Sequence, residues 1–80
     1  MFSQLRIQGN IVAFTLYQDS RIECMLYTLS GRMVAKPLSG YRKAGIHFFD
    51  LDTKSYGTGM FYLTIRAGND YLRKPIVLLH

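Results

Sequence analysis

The sequence predicts a small all-β domain of about seven short antiparallel strands, a sandwich or small barrel with essentially no helix. Three observations carry this. Turn-forming residues arrive at regular intervals, with apolar runs of strand length between them. Within these runs large apolar residues recur at every second position, the pattern of a half-buried strand. Nowhere does an apolar 3.6-residue period persist for the roughly eleven residues of an average helix. The six Tyr and five Phe of this 80-residue chain point the same way, because aromatic side chains suit a pleated, half-buried surface.

The strands follow in order. Residues 5–8 are short and alternating, and Gly9-Asn10 suits a two-residue hairpin turn. Residues 11–17 place Val12, Phe14 and Leu16 on one face, and Gln18-Asp19-Ser20 breaks the run. Residues 21–29 place Ile22, Cys24 and Leu26 on one face before Ser30-Gly31 turns the chain. Residues 33–38 form a weaker fourth strand with Val34 in the core. Pro37 cannot donate a ladder hydrogen bond, so this strand belongs at a sheet edge or ends nearby. Residues 39–45 read as a polar loop containing Arg42-Lys43. Residues 46–52 carry His47, Phe49 and Leu51 on one face, and residues 53–59 form a second loop. Residues 60–67 present Phe61, Leu63 and Ile65 on one face. Gly68-Asn69-Asp70 makes a tight connection, and residues 71–79 close the fold with Ile76 and Leu78 in the core.

Eighty residues make a single domain, residues 1–80, with a thin core, since a chain of this size buries roughly 60% of its unfolded surface. Ten basic residues against five acidic ones give a net charge of +5. That balance suits an acidic partner only where the cations cluster. Here they are mostly scattered, with Arg42-Lys43 and Arg73-Lys74 the adjacent pairs, so no specific nucleic-acid binding is expected. No apolar run reaches the ~18 residues that cross a bilayer, so no membrane span is expected. Residues 1–6 lack the pattern of a secretory signal.

No residue set points to catalysis or to a cofactor. Cys24 lies within an apolar run, where a free cysteine behaves as a small buried hydrophobe. A lone Cys cannot form an internal disulfide. His47 and His80 are the two histidines, too few at workable spacing for zinc. Asp50 and Asp52 share a face by period two and, with Asp70, have the chemistry of a calcium site. A solvated face paired with Arg or Lys is the simpler reading, and no metal is expected. Gly57-Thr58-Gly59 lacks the Lys-Ser/Thr of a phosphate loop and reads as a turn. The tyrosines are too many for the core. Tyr62 and Tyr71, beside Arg66 and Arg73 on strands expected to pair, form either an aromatic pair that stiffens the hairpin or a platform for sugars or bases.

Four segments together resemble a known family. They are Ile22-x-Cys24-x-Leu26-Tyr27-Thr28-Leu29-Ser30-Gly31-Arg32, then Ala44-Gly45-Ile46-His47 with Leu51, then Gly59-Met60-Phe61-Tyr62-Leu63-Thr64-Ile65, and finally Arg73-Lys74-Pro75-Ile76-Val77-Leu78-Leu79. In this order and spacing they resemble the C-terminal sorting domains of type IX secretion cargo, and more loosely the immunoglobulin-like domain of flagellar hook-capping proteins. Thr28 stands where the family has Asp, Thr58 where it has Ser, Phe61 where it has Tyr, and Pro75 where it has an aliphatic residue. The resemblance implies an immunoglobulin-like antiparallel β-sandwich without enzymatic activity. It further implies a secreted or cell-surface C-terminal piece of a larger exported protein, whose signal peptide lies outside this sequence. The implied partner is the secretion machinery of the outer membrane, met through Lys74, Ile76, Val77 and Leu78 in the place of the family's terminal motif. The domain is expected to be a monomer. A polysaccharide-contacting accessory domain of a secreted hydrolase is the alternative suggested by the tyrosines, and a small basic barrel for single-stranded nucleic acid is a weaker one.

Overall fold

In the computed structural model, which describes residues 2–3 and 5–79 with the backbone alone at 53, the alternating runs become seven strands. They are β1 (Arg6–Gln8), β2 (Ile11–Leu16), β3 (Ser20–Thr28), β4 (Met33–Arg42), β5 (Gly45–Asp50), β6 (Gly59–Ala67) and β7 (Asp70–Leu78). One helical turn, α1 (Thr53–Tyr56), lies within the second predicted loop. The strands form two antiparallel sheets, ordered β1-β2-β5 and β4-β3-β6-β7. This is the predicted seven-stranded antiparallel β-sandwich. Relative to the constant-type immunoglobulin arrangement, which pairs the fourth strand with the fifth, β4 lies in the other sheet and pairs with β3.

The core is the stack of inward triplets. Val12, Phe14 and Leu16 of β2 face Ile22, Cys24 and Leu26 of β3 and Phe61, Leu63 and Ile65 of β6, all buried. Ile76 and Leu78 close one side, and Leu51 seals the end after β5. Burial of each large side chain stabilises the domain by roughly 1.5–3 kcal/mol. Leu5 and Ala67 are also buried, and Phe49 packs half-buried against the cluster.

Both two-residue hairpins use a glycine at the first central position with φ +61°, Gly9 and Gly68, while Asn10 and Asn69 keep negative φ. This is the II′ pattern that matches strand twist. The residues flanking the second turn, Ala67 and Asp70, are register partners. Residues 53–56 turn helical because Asp52 caps them. Its Oδ1 accepts the Lys54 N–H (3.0 Å) and its Oδ2 the Ser55 hydroxyl (2.8 Å).

Two expectations are corrected around β4. The predicted loop over residues 39–45 is mostly strand, since β4 runs on to Arg42 along β3. Val34 is not core: it is 38% exposed. The register steps from Cys24↔Leu38 to Leu26↔Ala35 and then to Tyr27↔Met33, so β4 carries an extra residue at 36–37, a β-bulge, and a second at Val34. Counting back from Leu38, an unbroken strand would turn Val34 inward. The first bulge turns Ala35 inward instead. Pro37 sits at this irregularity on an edge strand, where a missing donor disrupts least.

Candidate functional site

The residues expected to meet a partner lie on β7, the outer strand of the four-stranded sheet. Pairing with β6 sorts them. Ile76 and Leu78 are buried in the core, so their side chains cannot themselves touch a partner of the folded domain. Val77 is half-exposed on the opposite face. Lys74 lies opposite Leu63 on the inward-facing side of β7 and is half-buried, reaching water along the sheet edge as long cationic side chains do.

The free edge of β7 has a definite polarity. Ala67 and Asp70 flank a two-residue turn, so they form a hydrogen-bonded pair, and such pairs alternate along an antiparallel ladder. Leu72, Lys74, Ile76 and Leu78 therefore direct their backbone groups to β6. Tyr71, Arg73, Pro75 and Val77 direct theirs to the open edge. Pro75 thus removes a donor from the middle of the open edge and none from the sheet. That placement blunts the edge against unwanted strand pairing.

The outward face of the same sheet is built in rows across the strands. Tyr27, Tyr62 and Pro75 form one row, Met25, Thr64 and Arg73 the next, and Glu23, Arg66 and Tyr71 the third. The Arg73 guanidinium lies 4.7 Å from the centre of the Tyr62 ring, and that of Arg66 lies 5.5 Å from Tyr71. The aromatic pair weighed from the sequence is therefore a pair of arginine–tyrosine contacts, within the range of cation–π attraction. Glu23 pairs instead with Lys36 at 3.8 Å. Thr64 is the small member at the centre of these rows. It is 2% exposed, and its hydroxyl donates to the Met25 carbonyl at 3.3 Å. The large side chains around it stand above it and enclose a cleft of about 280 Å³. The β3–β4 turn, Thr28 to Gly31, walls one end. Sequence reasoning named two of the tyrosines but missed Thr64 and the turn, which join them only through register.

The other sheet exposes an apolar outer face: Ile11, Ile46 and Phe48 project to solvent, the last two more than 70% exposed. The uninterrupted run Ile46-His47-Phe48-Phe49 was the signal, since apolar residues on both parities leave one set outside. A second depression beside it is lined by Ser3, Arg6, Thr15, Tyr17 and Ile46.

The remaining reactive side chains have structural roles. Cys24 is a free, buried thiol whose pKa burial pushes up to about 12, so it carries a proton at neutral pH and is a poor nucleophile. His47 stacks at a tilt on Phe14, 5.8 Å between ring centres, and its Nε2–H donates to the Lys43 carbonyl at 2.7 Å. His80 lies outside the described residues. Asp52 is held below the ordinary carboxylate range by the Ser55 hydroxyl and then the Lys54 amide. Asp19 accepts the Ala44 N–H at 2.7 Å, tying the β2–β3 connection to the start of β5. Among the described residues no group of three His, Cys, Asp or Glu side chains is placed to hold a metal ion. No described helix is long and apolar enough to cross a membrane. No protein-family model matches the chain, and no curated protein matches it either.

Proposed function

We propose that this domain is a sorting or attachment module of an exported protein, recognised by secretion machinery of the outer membrane through the surface around its last strand. The observation that supports the reading is the way three of the four resembling segments lie side by side in one sheet. Those of β3 and β6 are adjacent central strands, and that of β7 is the accessible edge beside them. Gly31, Gly45 and Gly59, which punctuate those segments, all take positive φ. The departure at Thr28 is absorbed locally, because its Oγ1 accepts the Arg32 N–H at 3.1 Å as a carboxylate there would. No side chain is required to do chemistry on this reading. Recognition uses shape and the outward residues of β7, with Pro75 limiting continuous strand addition along that edge.

The test is a fusion behind a reporter that carries a signal peptide, in a host with type IX secretion. The reporter is expected outside the cell. Val77→Asp changes an exposed side chain of β7 and should leave the fold intact, with a stability change of about 0.5 kcal/mol or less, yet hold the reporter in the periplasm. Charge reversal at Lys74 is the poorer probe, because Lys74 leans on the inner edge and mixes stability with recognition. A folded intact fusion that stays in the periplasm refutes the proposal.

A further inference from the structure

We infer that the cleft over Thr64 binds an acidic saccharide, with the Arg73 guanidinium taking a sugar carboxylate and the tyrosines taking the sugar's apolar face. The inference is independent of the sorting proposal and rests on the cleft's own chemistry.

The cleft exists because a small residue is ringed by large ones. Thr64 lies between Tyr62 and Arg66 along the strand axis on one face, with Met25 and Arg73 across the rows. Thr64 is 2% exposed, so its neighbours cover it and it forms the floor of the cleft. At about 280 Å³ the space falls just below the range of ligand pockets, roughly 300 to 1,000 Å³. It therefore suits one segment of an extended chain.

The lining decides the class. Tyr27, Tyr62 and Tyr71 contribute aromatic side chains, and Ser30 with Thr28 brings hydroxyls. Thr28 and Ser30 bond each other at 2.9 Å, which orders them. Among the described residues no carboxylate lines the cleft, and none forms an ion pair with Arg73. The Arg73 guanidinium lies over the Tyr62 ring, 4.7 Å from its centre, a cation–π attraction that restrains it. Its N–H fork has the geometry for a bidentate carboxylate. Charge complementarity thus asks for an anion beside a flat, hydroxyl-bearing ring. A nucleic-acid strand is the poorer fit. It needs a track of cations along a groove, whereas Arg73 is the cleft's one cation among the described lining residues.

The test is titration of the folded domain with the trisaccharide of galacturonic acid, followed by backbone amide shifts in NMR. The neutral trisaccharide of galactose and an oligothymidylate serve as comparisons. Saturable binding of the acidic sugar is expected, with shifts confined to Tyr27–Gly31, Tyr62–Thr64 and Tyr71–Arg73. Raising salt from about 50 mM to about 500 mM should weaken it. Arg73→Gln should weaken it roughly tenfold or more, the worth of a charge-assisted pair, with the thermal midpoint lowered by no more than a few degrees. Arg73→Lys, which keeps the charge but loses the fork, should fall between. Three results would overturn the inference: equal affinity for the neutral sugar, binding indifferent to Arg73→Gln, or preference for oligothymidylate. Shifts mapping to the Ile46–Phe48 face instead would overturn it as well.

Discussion

Phe61→Ala set against Val34→Ala tests the packing at the point where alternation and structure part company, since alternation puts both residues in the core. Phe61 lies between register partners Thr28 on β3 and Ile76 on β7 and is 6% exposed. Its truncation removes a ring from a site flanked on both sides by paired strands, which cannot close over the hole. Phe-to-Ala changes of this kind cost about 3–5 kcal/mol. The residual exposure places this one near the lower end, about 3 kcal/mol. A domain of this length has a total stability of about 4–12 kcal/mol, so the variant should keep a cooperative transition with a narrow margin or none. At roughly 4–8 °C per kcal/mol for domains of this size, the midpoint should fall by about 12–24 °C. Val34 projects beyond a bulge and is 38% exposed, so Val34→Ala should move the midpoint by no more than a few degrees, about 0.5 kcal/mol. Thermal melts followed by far-UV circular dichroism measure both. Equal losses in the two variants would refute the bulge as the reason for Val34's exposure. A Phe61→Ala midpoint within about 4 °C of the parent would remove Phe61 from the core.

Restoring a backbone donor with Pro75→Val should leave the dichroism spectrum unchanged and introduce concentration-dependent self-association, read by light scattering. A variant that stays monomeric as concentration rises would show that Pro75 does not guard the edge. Cys24 should resist a thiol reagent in native buffer and react at once in denaturant. Because its folded pKa is raised from 9.0 to about 12, the native state holds the proton that the unfolded chain releases. That contribution is complete below pH 9.0 and is lost as pH climbs towards 12, with a limiting slope of about 1.4 kcal/mol per pH unit. Cys24→Ala should flatten that part of the stability profile. Asp52 behaves oppositely: its pKa is lowered, so its cap is in force above the ordinary carboxylate range and is lost as pH falls through the folded value. Hydrogen exchange at Lys54 and Ser55 should quicken on acidification, and Asp52→Asn should make it less dependent on pH.

Much of this molecule is local and therefore legible along the chain. A strand's side chains alternate whatever it pairs with, so Val12-Phe14-Leu16, Ile22-Cys24-Leu26 and Phe61-Leu63-Ile65 declare an inner face by themselves. Gly9 and Gly68 likewise mark hairpins because the backbone there needs positive φ, a constraint set within two residues. Pro37 announces an edge because a missing donor is a property of the residue. What depends on register cannot be read this way. The bulge that turns Val34 outward arises between β4 and β3, and no spacing within β4 alone displays it. Leu5 and Ala67 are buried because other elements cover them, although each lies at the margin of its run. Pro75 reads as an interruption in the chain, and only the ladder phase from Ala67↔Asp70 shows that its lost donor faces the open edge. The cleft is the furthest case. Tyr27, Thr64 and Arg73 come from three strands and meet because β3, β6 and β7 pair in one particular phase, which a slip of one residue would reverse. Which faces are apolar and where the chain turns follow from the chemistry of neighbouring residues, and so can be read along the chain. Which side chains share a row emerges only on folding, because pairing across strands is fixed by the packing of the whole core.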